Sequence, residues 1–320
     1  MAQQSTNEPF NGRVLVTGAS GFVGRALCHR LLTENLDINS LSRGKPDDEI
    51  GGNTRFFSGD LLDSETMDRA CEEVSCIFHL ASISQVYEIH SETLTRVIEE
   101  GTAQVLKSAR KAGVSRIVYF STSLAAEAES KNRFATDYGI SKLRAERLLL
   151  GHGGRINITV LRPVNVYGPG MQGSLKGLIR RIGSRTLPPL PELTTRLALI
   201  GVGDLVEAAL LAARNSNTVG KVYQLSDGVC YNINDIENAI YDAVGRSKPG
   251  WRMPKSVLFS AALLMEALGI VIRPARRMGL RTYRNLTEDL YCEDSRFNQD
   301  TGFRASTTFY KELPNCLEAD

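Results

Sequence analysis

Several features that usually announce a function are scarce in this sequence. Its 320 residues include one tryptophan, four histidines and six cysteines. The cysteines stand far apart, at 28, 71, 76, 230, 292 and 316, with no Cys-x-x-Cys pair. That spacing argues against a disulfide frame and a zinc site, and fits reduced thiols in a cytoplasmic protein, so no metal is expected. Neither sign of charge dominates: 38 basic residues against 36 acidic ones leave a formal +2. Nucleic acid is therefore not an expected partner, and there is no acidic tail. The chain has no internal repeat and no low-complexity tract. Its start, MAQQSTNEPFNGR, is polar, so no secretory signal is expected. The stretch from Val257 to Ile272 is apolar apart from a serine, a glutamate and a glycine. It falls short of the roughly 20 residues of a membrane-spanning helix. A buried or groove-lining helix is expected there, with peripheral contact to a membrane surface as the alternative, because basic residues flank it.

What is present is a rhythm. Short apolar runs at Arg13-Val16, Asp37-Leu41, Arg55-Phe57, Cys76-Leu80, Arg116-Phe120 and Asn157-Leu161 read as strands. Amphipathic stretches between them, Phe22-Thr33, Ser64-Val74, Glu92-Ala112 and Asp137-Leu150, read as helices. Regular alternation of this kind implies an α/β fold of the Rossmann type, a doubly wound parallel sheet with helices on both faces. After Pro163 the rhythm breaks. Gly168-Pro169-Gly170 and Pro188-Pro189-Leu190-Pro191 mark loops, and helices are expected at Asp204-Arg214 and Ile233-Val244. The expected division is a dinucleotide-binding domain over residues 11–168 and a smaller lobe over 169–320. That lobe, interleaved with the sheet, is expected at the C-terminal edge where doubly wound proteins bind substrates.

The first strand runs into Gly18-x-x-Gly21-Phe22-Val23-Gly24 and then a helix. Glycines let a backbone approach a pyrophosphate, and the N–H groups opening the helix attract its charge. Gly18, Gly21, Phe22, Val23 and Gly24 are thus candidate dinucleotide-binding residues. After the second strand, an acid would bond the 2′-hydroxyl of NAD, whereas an arginine accommodates the phosphate of NADP. Here Ser42-Arg43-Gly44-Lys45 precedes the first acid, Asp47, so Arg43 favours NADP over NAD. Asp60 and Leu61, after the third strand, are candidates for the adenine side, with a local turn as the other role for Asp60.

Tyr138 and Lys142, four apart in an expected helix, share one face. A phenol with an ordinary pKa near 10 is expected to be lowered by a neighbouring ammonium. Ser123, at the end of the fifth strand, can bond the substrate oxygen that gains or loses a proton. The set would move a proton while a nicotinamide moves a hydride.

The motifs Thr17-Gly18-Ala19-Ser20-Gly21-Phe22-Val23-Gly24, Phe120-Ser121-Thr122-Ser123, Tyr138-Gly139-Ile140-Ser141-Lys142 and Leu161-Arg162-Pro163-Val164-Asn165-Val166-Tyr167-Gly168-Pro169-Gly170 occur in this order. Together they resemble the extended short-chain dehydrogenases/reductases, and more narrowly the NAD-dependent epimerase/dehydratase family that works on nucleotide sugars. The resemblance runs from about Arg13 to Phe303 and is strongest before Gly170. It implies that Leu80, Ala81 and Pro163 line the cofactor, that Lys142 holds the nicotinamide ribose, and that Asn165 contacts the nucleotide-sugar substrate. Arg196, one residue out of register, is the match for a phosphate-binding arginine. Leu225-Ser226-Asp227-Gly228 and Asp294-Ser295-Arg296 look like the second lobe of nucleotide-sugar reductases and epimerases of surface-polysaccharide pathways. The resemblance, with the two long helices, also implies a homodimer through a helix pair.

The sequence departs from the family's dehydratases, which follow the catalytic hydroxyl with Asp-Glu. Here Leu124-Ala125-Ala126 stands in that place, so dehydration is not expected. Only 14 residues separate Ser123 from Tyr138, fewer than is usual in the family. The activity implied is reduction of the 4-keto group of a nucleotide sugar with NADPH. The alternatives are a UDP-hexose 4-epimerase and a dihydroflavonol- or steroid-like ketone reductase.

Overall fold

Six of the apolar runs become parallel strands in the computed structural model, which describes residues 10–44, 51–83, 90–131, 135–268, 279–289 and 296–318. They are β1 (Arg13–Thr17), β2 (Ile38–Ser42), β3 (Thr54–Ser58), β4 (Val74–His79), β5 (Arg116–Phe120) and β6 (Asn157–Pro163). Every residue of β1, β2 and β5 is buried, as befits strands covered on both faces. Between them lie α1 (Phe22–Thr33), α2 (Ser64–Ala70) and α3 (Ser91–Leu94). The last passes through a π-helical segment, Thr95–Glu100, into α4 (Gly101–Ala112). Then come α5 (Ser123–Glu129) and α6 (Asp137–His152). Gly113 closes α4 in the left-handed conformation, φ 74°, the usual reason for a glycine at that position.

Beyond Pro163 the elements shorten to β7 (Asn165–Tyr167), α7 (Ser174–Gly183), β8 (Arg196–Leu197), β9 (Leu199–Gly201), α8 (Val202–Arg214), β10 (Val222–Leu225) and β11 (Tyr231–Asn232). They are followed by α9 (Ile233–Ala243), α10 (Lys255–Leu268), α11 (Leu280–Thr287), α12 (Arg296–Thr301) and α13 (Phe309–Glu318). The chain divides into two units. Described residues within Met1–Val164, Val202–Leu225 and Asp294–Arg304 form the first; those within Asn165–Gly201, Ser226–Glu293 and Ala305–Asp320 form the second.

The first unit holds a seven-stranded parallel sheet in the order β10-β6-β5-β4-β1-β2-β3. It is a Rossmann-type α/β fold. Strand order reverses between β1 and β4, which opens a crevice at their carboxyl ends. Strand β10 pairs with β6 from Val222 to Leu225, and α8, read from sequence as part of the later lobe, packs here on β5, β6 and α1.

In the second unit β7 pairs with β9 and β8 with β11. Its interior contains Tyr167, Tyr231 and Phe309, and both tyrosine hydroxyls donate to Asp227. The expectation of a buried or groove-lining helix over 257–272 is corrected for its described part. In α10 only Ala262 is buried, because the helix packs on α11 along a narrow stripe. Residues 269–272 lie outside the described residues, as do Cys292, Asp294 and Ser295. No helix among the described residues is long and apolar enough to cross a membrane.

Candidate active site

The loop leaving β1 has no room for side chains at two of its glycines. Gly18 adopts φ +74°, and a Cβ there would lie 2.8 Å from the Ala81 nitrogen. A Cβ on Gly24 would overlap the Gly18 carbonyl oxygen and approach the Ala19 Cα at 2.9 Å. Backbone thus passes backbone at van der Waals distance, held by Gly18 N–H donating to Leu41 O (2.8 Å) and Gly21 N–H to Gly18 O (3.0 Å). No side chain caps α1 at Gly21 and no acid stands in its first turn. The N–H groups of Phe22 and Val23 therefore open a helix whose positive end is unscreened by the protein. A cradle of bare backbone at an uncapped helix start fits a dinucleotide pyrophosphate.

The end of β4 is tied to this loop. Leu80 N–H donates to Thr17 O (3.2 Å) and Ala81 N–H to the Thr17 hydroxyl (3.2 Å). The Thr17 hydroxyl also meets His79 Nδ1 at 2.7 Å, and His79 Nε2 meets the Thr102 hydroxyl at 3.1 Å. Burial, with the nearby Lys142 ammonium adding to it, lowers the His79 pKa to about 3, and the imidazole is neutral. His79 in turn lies against the Tyr119 ring, 5.3 Å between centroids.

Next to Tyr119 stands α6, which carries the candidates Tyr138 and Lys142. Lys142 is buried, donates from Nζ to Phe120 O (2.8 Å), and places its ammonium 4.7 Å from the centre of the Tyr119 ring. Burial lowers its pKa to about 7, against the opposing pull of Glu146. Tyr138, one turn earlier, packs on the core of the first unit. The lowered phenol expected from the lysine is corrected: burial pushes Tyr138 up, partly offset by the nearby Ser82 hydroxyl. Desolvating a phenolate outweighs the field of an ammonium that is itself only weakly held in its charged form. Ser123 begins α5, whose N-terminus is capped by Thr122. Helices α5 and α6 meet where Gly139 abuts Leu124; a Cβ on Gly139 would lie 2.9 Å from the Leu124 carbonyl carbon. The residues following Ser123 and Tyr138 are thus in contact.

The remaining candidates are dispersed. Arg43 is exposed at the end of β2, with no hydrogen bond or ion pair among the described residues; Lys45 and Asp47 lie outside them. The Asp60 carboxylate accepts from Leu62 N–H (3.0 Å), a local turn. The Leu61 side chain is buried in the core and packs by Gly101. Pro163 ends β6, opposite Leu225. In the second unit Asn165 is exposed on β7, and Arg196 is paired with Asp289 (3.0 Å).

A family model for the NAD-dependent epimerase/dehydratase family matches residues 14–226. The chain belongs to this family. It is 26% identical over 259 residues to the UDP-glucose 4-epimerase of Vibrio cholerae, covering 75% of this chain and 78% of that protein. It is 24% identical over 299 residues to short-chain dehydrogenase/reductase family 42E member 1 of Xenopus laevis, covering 84% and 78%. Among solved structures, MoeE5 in complex with UDP-glucuronic acid and NAD superposes with a TM-score of 0.74 at 22% identity, over 96% of this chain and 98% of that one.

In this epimerase/dehydratase chain the structure adds residues that the sequence reading passed over. Glu146, one turn beyond Lys142, is buried and takes three bonds from Arg162 (2.6, 3.0 and 3.2 Å) and one from the Ser121 hydroxyl. Arg162 also reaches Glu129 at 2.7 Å. A charged residue inside the apolar strand Asn157–Pro163 was the available signal, since a buried arginine requires a partner. Ser82, after β4, is a second: its hydroxyl is buried and makes no well-formed hydrogen bond among the described residues.

Proposed function

We propose that this chain reduces the 4-keto group of a nucleotide-linked sugar, using NADPH as the hydride donor. The observation that carries the reading is the common location of two devices. Tyr138 and Lys142 share one face of α6, next to α5 with Ser123. The Tyr138 hydroxyl is influenced by Ser82, whose neighbour Ala81 closes on Gly18 of the glycine cradle. Bound in that cradle, the cofactor supplies the hydride. Tyr138, kept protonated by burial, then gives its proton to the substrate oxygen as negative charge develops there. Ser123 donates a hydrogen bond to the same oxygen. Lys142 places a positive charge behind the phenol and stabilises it once the proton has left. Arg43, exposed after β2 and without an ion pair among the described residues, supports NADPH, since a guanidinium there could meet a 2′-phosphate.

A second reading is favoured by the likeness to a UDP-glucose 4-epimerase and to the NAD complex of MoeE5. There NAD would stay bound and the hydride would return to the opposite face. Product analysis with a panel of UDP- and dTDP-sugars, with and without NADPH, separates the two. Reduction should consume one NADPH per sugar, and Arg43→Asp should erase the preference for NADPH over NADH. Epimer formed with no net cofactor change would establish the second reading in place of the first.

A further inference from the structure

Eight large apolar side chains are exposed among the described residues, and six of them lie between Trp251 and Leu268. Five of the six belong to α10: Val257 (49%), Phe259 (45%), Leu263 (51%), Leu264 (58%) and Leu268 (39%). At 100° per residue they span an arc of roughly 180°. Ser256, Ser260 and Ala267 share that arc, and no charge falls inside it. The opposite side carries the buried Ala262 and the half-buried Leu258, Met265 and Glu266. There α10 packs on α11, with Glu266 accepting from Leu280 N–H at 3.1 Å. A surface helix ordinarily turns its apolar stripe inward. This one turns it outward, and a contiguous apolar face of that kind marks an interaction surface.

We propose that the outward face of α10 lies on an anionic lipid surface. Two observations favour lipid over a protein partner. First, the sequence from Trp251 to Arg284 contains seven basic residues against one acid, Glu266. Arg252 and Arg284 are taken by Glu237 and Glu288. The charge flanking the apolar run in the sequence is that of Lys255, Arg273, Arg276, Arg277 and Arg281, of which Arg273, Arg276 and Arg277 lie outside the described residues. An apolar helix with basic flanks is the pattern that seats in the headgroup region of acidic membranes. A second copy would bring the same positive excess to both sides of the contact. Second, Trp251, 58% exposed, stands just before the helix, and tryptophan favours the boundary between headgroups and acyl chains. The described part of α10, 14 residues, rises about 21 Å, short of a core about 30 Å thick, and in this proposal it lies in the plane of the surface.

The test is flotation of the full chain with phosphatidylcholine vesicles and with vesicles containing about one third phosphatidylglycerol. The chain should float with the second and not the first, and rising salt should release it. Replacing two exposed residues together, Leu263→Glu and Leu264→Glu, should reduce binding by about tenfold or more. The same variant should keep the wild-type melting temperature and NADPH affinity, which separates loss of the surface from loss of the fold. Three results would overturn the proposal: no flotation with anionic vesicles, equal flotation with both compositions, or a solution dimer that the double substitution dissociates. The last would assign the face to a second copy. None of these outcomes depends on the reaction proposed above.

Discussion

Lys142 carries its charge where charge is costly. Its ammonium is buried, with one carbonyl and one aromatic face as neighbours and Glu146 a turn away. The folded chain therefore binds this proton more weakly than the unfolded chain, with a pKa of about 7 against 10.5. The cost of the buried cation is fully present below pH 7. It fades as the pH climbs from about 7 to 10.5, by about 1.4 kcal/mol per pH unit. Lys142→Met should accordingly raise the melting temperature at pH 6 and raise it less at pH 9, while abolishing turnover. A lower melting temperature at pH 6 would contradict the buried-cation account. The network holding Glu146 is of another kind. Removing Arg162 leaves a carboxylate unpaired in the interior, a loss that typically amounts to about 3–5 kcal/mol. Tyr138 and Lys142 were legible because their spacing is local to one helix. Glu146, Arg162 and Ser121 were not, because their bonds join residues 16 and 25 positions apart.

Helix α6 offers an internal comparison at the scale of the element. Gly139 faces α5, where an added Cβ would meet Leu124. Gly151, near the other end of the same helix, has nothing within 4 Å of the corresponding position. Gly139→Ala should push the helices apart, cost about 1–3 kcal/mol as an overpacked contact, and lower kcat by displacing Tyr138 relative to Ser123. Gly151→Ala should instead stabilise by about 0.4–1 kcal/mol through the unfolded chain and the helix preference of alanine. Equal effects from the two substitutions, measured by denaturant unfolding, would remove the packing argument. Buried parallel strands tend to read as short apolar runs, and β1 and β3–β6 could be placed that way, whereas β2, Ile38-Asn39-Ser40-Leu41-Ser42, owes its place more to the alternation around it. Strand β10 could not: Val222-Tyr223-Gln224-Leu225 is four residues long, and only its pairing with β6 makes it part of the sheet. The outward face of α10 escaped for a related reason, since an apolar helix reads the same in sequence whether protein covers it or not.

For the molecule as a whole, the family match over residues 14–226 covers the sheet, the glycine turn and helix α6. The second unit is built of short strands joined by proline- and glycine-rich loops, and its local signals were correspondingly weak. In that unit Asn165 is exposed and Arg196 is paired with Asp289. The account therefore stands on Tyr138. Tyr138→Phe removes a single oxygen from a ring packed on the core, so the melting temperature and NADPH affinity should stay near wild type. Turnover of the sugar substrate should fall by about a hundred- to ten-thousandfold, the range for a positioned acid–base group. Near-normal turnover in Tyr138→Phe, with NADPH still bound, would contradict the account.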